Sequence, residues 1–106
     1  MDQRFARRYR LTEEGELRVF RWFLLRAYEE LIRHTGSKWV EIPIIRAKVL
    51  QELKMNRKKF DELLLRLEKF DNKLSLSPAR VFSADIRRES IETDRGFLYY
   101  LYYGEG

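Results

Sequence analysis

Few side chains of this sequence could do acid–base chemistry, and the single histidine, His34, is the foremost of them. Glu30 precedes it by four residues, a spacing at which a carboxylate on a helix can orient an imidazole that acts as a general base. His34 also falls where the predicted helix ends, and a cationic side chain there offsets the helix dipole. We favour this capping role.

The composition argues further against catalysis. Cysteine is absent, so a zinc site would have to combine one histidine with several carboxylates. No glycine-rich phosphate loop follows a predicted strand. No apolar run reaches the ~18 residues of a membrane span, and the N-terminus lacks a signal-peptide apolar core. We therefore expect a cytoplasmic binding protein that carries no cofactor or metal, not an enzyme.

A run of positive charge offers a different chemistry, the binding of phosphate. Lys54, Arg57, Lys58 and Lys59 lie in a segment that contains no acid, and Arg57 could donate two hydrogen bonds to a guanine edge. The chain has 22 basic and 17 acidic residues, which favours an anionic partner such as nucleic acid. A solvated surface explains this excess equally well. Asn and Gln total only four residues, a composition typical of thermophilic proteins with many surface ion pairs.

The elements that position these residues begin with a basic arm and a long helix. Residues 1–11 form the arm, in which the arginines are Arg4, Arg7, Arg8 and Arg10. Thr12 offers a helix cap, and the helix is predicted to run to about His34 and to stop at residues 35–37. Its core stripe at helical spacing comprises Leu17, Phe20, Leu24, Ala27, Tyr28 and Leu31.

A second apolar stripe of this helix contains Val19, Trp22 and Phe23. A helix that is apolar nearly all round is buried on more than one side. Later elements of the same chain could cover this stripe, or a second copy could pack on it. We favour a homodimer.

A helix-turn-helix is predicted between Pro43 and Phe70. Residues 39–42 are bulky and β-branched and predict an extended segment, and proline is tolerated in the first turn of the helix that follows. Asn56 is a good cap for a third helix, and the connection between the two helices is short. We expect Asn72 to end the third helix in the left-handed conformation.

The remaining chain predicts a small sheet. Residues 74–77 alternate and indicate a strand that is half-buried on its leucine face. Residues 79–89 are compatible with a strand, a loop or a helical turn. Residues 90–93 and 97–103 are predicted strands around the turn Asp94-Arg95-Gly96. Two strands around a turn form a wing.

The order helix, short strand, helix, turn, helix, strand and hairpin resembles the winged helix-turn-helix superfamily, as found in small archaeal and bacterial DNA-binding proteins. The resemblance rests on the run Leu53-Lys-Met-Asn-Arg-Lys-Lys-Phe-Asp-Glu-Leu-Leu64, on Leu67, on Leu74-Ser-Leu76 and on Gly96-Phe-Leu-Tyr-Tyr-Leu101. It implies an α+β fold over residues 12–106, with a long N-terminal helix, two further helices and a small antiparallel wing.

The resemblance implies that the third helix enters the major groove of duplex DNA, with the wing and the arm on the backbone or minor groove. Such a protein is commonly a transcriptional regulator. The candidate contacts are Lys54, Asn56, Arg57, Lys58 and Lys59 on the third helix, Arg80, Arg87, Arg88 and Arg95 in the wing, and Arg7 and Arg8 in the arm.

Three features support other partners. Asp61 and Glu62 fall on the predicted groove face and repel phosphate, unless Lys58 and Arg66 pair with Glu62 on a solvated helix. With Leu65 they could instead bind a protein, which makes an adaptor in a nucleic-acid-processing complex the alternative function. The tyrosines at 99, 100, 102 and 103 could stack on unpaired bases, although strand tyrosines more often pack on a neighbouring helix.

Overall fold

The structure is a computed structural model that describes residues 13–104, and it has an α+β fold. Within these residues there are four helices and a four-stranded antiparallel sheet. In chain order the elements are α1 (Glu13–Thr35), β1 (Trp39–Glu41), α2 (Ile42–Glu52), α3 (Arg57–Phe70), β2 (Leu74–Pro78), α4 (Ala84–Glu89), β3 (Ile91–Thr93) and β4 (Gly96–Tyr103).

Helix α1 has the length and the buried stripe that its spacing predicts. Its first turn carries three glutamates and its last turn Arg33 and His34, so charges of the favoured sign lie at both ends of the dipole. The backbone leaves the helix at Gly36, whose positive φ of 75° is a conformation that glycine adopts freely. The predicted cap Thr12 lies outside the described residues. The fully buried side chains of α1 are Phe20, Leu24, Ala27 and Tyr28.

Helices α2 and α3 follow one another across a short connection, as predicted. Ile42 is the first residue of α2 and is completely buried, so the predicted extended segment is one residue too long. Pro43 lies in the first turn, where its missing N–H costs no hydrogen bond. Asn56 caps α3, because its side chain accepts a 2.8 Å hydrogen bond from the backbone N–H of Lys59.

The end of α3 differs from the prediction. Asn72 does not adopt the left-handed conformation, because positive φ angles among the described residues occur only at glycines. Asp71 ends the helix in extended backbone, with φ −114° and ψ 103°. Its carboxylate accepts a 3.1 Å hydrogen bond from the backbone N–H of Lys73. This side-chain turn replaces the left-handed residue.

Strand β4 is the centre of the sheet. It pairs with β2 along one edge and with both β1 and β3 along the other. The β3–β4 hairpin turns through Asp94 and Arg95, as predicted, and Gly96 has a φ of 110°. Residues 79–89, which are compatible in sequence with a strand, a loop or a helical turn, contain α4. The Ser83 hydroxyl caps this helix.

A β-bulge sets which face of β4 meets the helices. Ser77 pairs with Tyr100, but the next residue, Pro78, pairs with Leu98, so Tyr99 is the extra residue. Leu98 and Leu101 therefore both point into the core, although they are three residues apart. The side chains of Tyr100 and Tyr102 lie on the opposite face of the sheet.

Candidate nucleic-acid interface

The cations at the start of α3 have different surroundings. Lys59 turns back to α1, where its Nζ lies 3.0 Å from Glu16 Oε1. Lys54 and Lys58 are exposed, and neither side chain has an ion pair within residues 13–104. Asn56 is occupied as the helix cap. Of these cations, Lys54 and Lys58 are therefore the ones available to bind a phosphate.

Arg57 ties α3 to the C-terminal end of α4. Its Nη2 donates to the carbonyl oxygen of Arg88 at 2.7 Å and to that of Ser90 at 3.2 Å. Its Nε lies 3.6 Å from Asp61 Oδ2. A guanine edge would compete with these acceptors for the same guanidinium, so Arg57 is primarily a structural link in the free protein.

Arg46 is a buried cation that is not among the predicted site residues. It is only 4% exposed. Its Nε donates to Asp61 Oδ1 at 3.1 Å and its Nη2 to the Glu89 carbonyl oxygen at 3.0 Å. A signal was present, since Arg46 follows Ile42 by four residues and precedes Val49 by three, on the inward face of α2.

The pairing with Arg46 changes the role of Asp61. Its side chain is 18% exposed and faces two guanidinium groups, so its charge is directed into the protein and not across a groove. Burial raises the pKa of Asp61 despite the opposing effect of Arg46, and burial likewise lowers the pKa of Arg46. The predicted repulsion of phosphate by Asp61 is therefore weakened.

Helix α4 presents two arginines next to the start of α3. The guanidinium of Arg87 lies over the ring of Phe97, 5.1 Å from its centroid. Arg88 pairs with Asp85 one turn earlier. Both arginines line an open groove of about 660 Å³ that also includes Phe82. The hydrogen bonds of Arg57 thus hold the end of α4 beside the start of α3.

The other predicted contacts lie elsewhere. Arg95 forms a two-pronged ion pair with Glu68 of α3, with distances of 3.0 and 2.5 Å. Arg80 lies beside the outer face of the sheet, where it lines a cleft with Trp39 and Tyr100. Arg7 and Arg8 fall outside the described residues.

The middle of α3 is mixed in character. Glu62 is exposed, and Leu65 is half-buried against the core. The predicted pairs of Glu62 with Lys58 and Arg66 do not form among the ion pairs of the described residues. A shallow surface of about 500 Å³ along this face is lined by Arg57, Lys58, Asp61, Glu62 and Leu65. One uncompensated carboxylate, Glu62, remains there.

The disfavoured alternative, in which Glu30 orients His34, has no supporting contact among the described residues. Glu30 instead pairs with Lys48 of α2 at 2.7 Å, and this contact lowers the pKa of Glu30. Among residues 13–104, no group of three or more His, Cys, Asp or Glu side chains is arranged to hold a metal ion. No helix in that range is both long and apolar enough to cross a membrane.

The second apolar stripe of α1 is only partly covered by the described chain. Val19 is 38% exposed and Trp22 is 53% exposed. Phe23 packs partly against the core and meets Trp22 edge to face, with ring centroids 4.9 Å apart. Arg26 stacks over Trp22 at 4.8 Å. Later elements within residues 13–104 therefore cover Phe23 but leave Val19 and Trp22 open.

Comparisons with known proteins find no relative: no family profile, no curated protein and no solved structure matches this chain.

Proposed function

We propose that this chain is a winged-helix protein that binds duplex DNA in the cytoplasm as a homodimer and serves as a transcriptional regulator, not as an enzyme. The element order supports the winged helix, with α2 and α3 as the helix-turn-helix. The sheet order β1-β4-β2 also supports it, because a short strand before α2 completes the sheet of the wing. Helix α4 and strand β3 would be an elaboration of the wing between β2 and β4.

The observation that carries the DNA proposal is the position of Arg57. Through its hydrogen bonds to the Arg88 and Ser90 carbonyls it holds the wing segment against the first turn of α3. We place Lys58 of α3, Lys54 of the preceding connection and Arg87 of α4 at that entrance as the phosphate contacts. The inward pairing of Asp61 removes one of the two carboxylates that would oppose it.

This arrangement favours contact with the DNA backbone over sequence reading. Lysines and a wing arginine neutralise phosphates, which positions a protein on the duplex but carries no base information. Asn56 caps the helix and Arg57 is held by carbonyls, so the two side chains best suited to read base edges are already engaged. Affinity should therefore vary little among duplexes of different sequence.

The test is duplex binding by a triple variant, Lys54→Ala, Lys58→Ala and Arg87→Ala. Each lost phosphate contact should reduce the slope of log K against log salt concentration by about 0.9, so the triple variant should lose about 2 to 3 from the slope. The control removes three other exposed cations, Arg18, Arg33 and Lys69. Equal losses in both variants would contradict the assignment of the contact surface.

A protein adaptor is the second candidate function, and the exposed apolar side chains of the wing favour it. Val81 is 70% exposed and Phe82 is 61% exposed. They could form a protein-binding surface, as could Glu62 and Leu65 of α3. If the chain is an adaptor, the wild-type protein should not bind duplex DNA even at low salt. If it is a DNA-binding protein, it should bind duplex DNA with an affinity that falls as salt rises.

A further inference from the structure

The outer face of the sheet carries a row of aromatic rings. Trp39 and Tyr102 are register partners, and their ring centroids are 5.2 Å apart with an interplanar angle of 39°. Tyr100 follows on the same face of β4. Trp39 and Tyr100 line an open cleft of about 390 Å³ together with Ser77, Pro78 and Arg80. We refer to Trp39, Tyr100, Tyr102 and Arg80 as the aromatic platform.

The core does not account for these rings. Leu98 and Leu101 supply the inward face of β4, and the bulge at Tyr99 fixes that orientation. Among the four tyrosines of the strand, Tyr103 has the packing role that is common for strand aromatics. Its ring meets Tyr28 of α1 at 6.5 Å, and its hydroxyl donates to Asp71. Trp39 is 44% exposed, and its neighbour Val40 is the inward residue of β1.

The platform also has a cation at one end and an acidic residue beside its rings. Arg80 is exposed at one end, and no carboxylate lies within ion-pair distance of it among residues 13–104. Ser77 adds a hydroxyl beside it. Glu41 is the register partner of Tyr100 on β1, so the acidic group lies across the strand on the same face. A ligand that fits has an aromatic face, an anion toward Arg80 and a donor toward Glu41.

We infer that the aromatic platform binds unpaired bases of single-stranded nucleic acid. A base stacks on Trp39 and Tyr100, its phosphate meets Arg80, and an N–H group of the base can donate to Glu41. Duplex DNA does not satisfy this site, because the faces of its bases are already covered by their neighbours. The inference is independent of the proposed function, since none of the platform residues lies on α3 or α4.

Tryptophan fluorescence tests this inference on the full chain. The sequence has two tryptophans, so Trp22→Phe leaves Trp39 as the only one. Titration of this variant with oligothymidine of about 15 nucleotides should quench its emission and reach saturation, because a stacked base contacts the indole directly. A matched duplex and an oligonucleotide of the same length without bases should not quench it.

Substitutions then separate stacking from charge. In the same Trp22→Phe background, Tyr100→Leu should weaken single-strand binding by about 5- to 100-fold, which is the range expected for one lost stacking contact. Arg80→Glu should weaken single-strand binding, and its loss relative to the Trp22→Phe parent should grow as the salt concentration is lowered. Arg80→Lys should retain most of the binding. Lys69→Ala, which removes an exposed cation that belongs to neither proposed contact, should leave the quenching curve unchanged.

Three results would overturn the inference. One is no quenching by oligothymidine at low salt. Another is equal quenching by the oligonucleotide without bases, because charge alone would then explain binding. The third is self-association that Tyr100→Leu abolishes, because the platform would then be a protein interface. Loss of duplex binding in the triple variant of Lys54, Lys58 and Arg87 has no bearing on these readouts, so the two proposals fail separately.

Discussion

The guanidinium of Arg57 donates to the carbonyl oxygen of Arg88 at 2.7 Å, across 31 positions of sequence. Arg57 is the first residue of α3, and Arg88 lies in the last turn of α4. One side chain thus fixes the wing segment relative to the helix that is proposed to enter DNA. The carbonyls at the end of a short helix lack partners within it, so an arginine is a suitable donor there.

Arg57→Ala should release α4 from α3. Because the side chain is 41% exposed, we expect a loss of only about 1 kcal/mol in the free energy of unfolding. The clearer readout is hydrogen exchange, in which the amides of α4 should exchange faster while those of Phe60 and Leu64 stay protected. Arg57→Lys should give most of the same effect, since one ammonium cannot reproduce the planar fork. Unchanged exchange in α4 would contradict the docking role.

Arg46→Ala should be far more costly. The side chain is 4% exposed, and its removal leaves the Asp61 carboxylate and the Glu89 carbonyl without their buried donor. Breaking a buried ion pair from one side typically costs 3–5 kcal/mol, so we expect a loss of about 3 kcal/mol in urea unfolding.

A double variant separates the unpaired charge from the lost packing around Arg46. Arg46→Met retains apolar contact with the ring of Phe60, over which the guanidinium lies at 5.9 Å. Combining it with Asp61→Asn removes both charges, so the pair should lose less stability than the sum of the two single variants. Additive losses would show that Asp61 does not depend on Arg46.

The sequence predicts the elements more reliably than the roles of these arginines. The caps and helical spacing identify α1, α2 and α3 because those signals act between residues close in the chain. Arg46 and Arg57 acquire their roles from Asp61, Arg88 and Glu89, and the contacts with the last two depend on how α4 docks. The sequence does not predict the secondary structure of α4, because this helix is short and has no buried residue to mark an apolar face.

The end of α3 gives a pH-dependent prediction. Burial raises the pKa of Asp71, but hydrogen bonds from Tyr103 and Arg21 outweigh it, so the pKa of the folded protein is lowered. A lowered folded-state pKa adds stability above the unfolded value of about 3.9, and this stability is lost as pH falls through the folded pKa. Asp71→Asn should therefore lower Tm at neutral pH and have a smaller effect near about pH 3.

A matched control isolates this effect from general acid denaturation. Glu92→Gln removes an exposed carboxylate in β3, and its difference in Tm from the wild type should stay small at both pH values. Tyr103→Phe should reproduce part of the Asp71→Asn effect, because it removes the 2.7 Å hydrogen bond from the tyrosine hydroxyl. A deficit for Asp71→Asn that is as large near pH 3 as at neutral pH would rule out the proposed linkage.

The candidate site shows the same limit of local patterns. The sequence identifies the tyrosines of β4 but assigns them preferentially to packing on α1, a role that Tyr103 has and that the faces of Tyr100 and Tyr102 exclude. The bulge at Tyr99 decides which residues turn outward, and it depends on pairing with β2. The pairing of β4 with β2, two strands distant in sequence, therefore determines the platform. Neither strand carries a local signal of it.

The exposed part of α1 predicts self-association. Val19 and Trp22 lie on one stripe of α1, and a second copy would bury both of them. Sedimentation equilibrium of the wild type should give twice the monomer mass of 13.0 kDa. Trp22→Glu should restore the monomer mass, because a charge in an apolar interface would have to be desolvated without a partner.

Ile44→Glu is the matched control, since Ile44 is 48% exposed on α2 and Trp22 is 53% exposed on α1. It changes an apolar side chain of comparable exposure to the same charge, but away from the stripe, so the dimer should persist. A wild type that sediments at 13.0 kDa over the whole concentration range would exclude the dimer. Dissociation by both substitutions would instead locate the interface beyond α1, because only a surface that includes α2 would respond to Ile44.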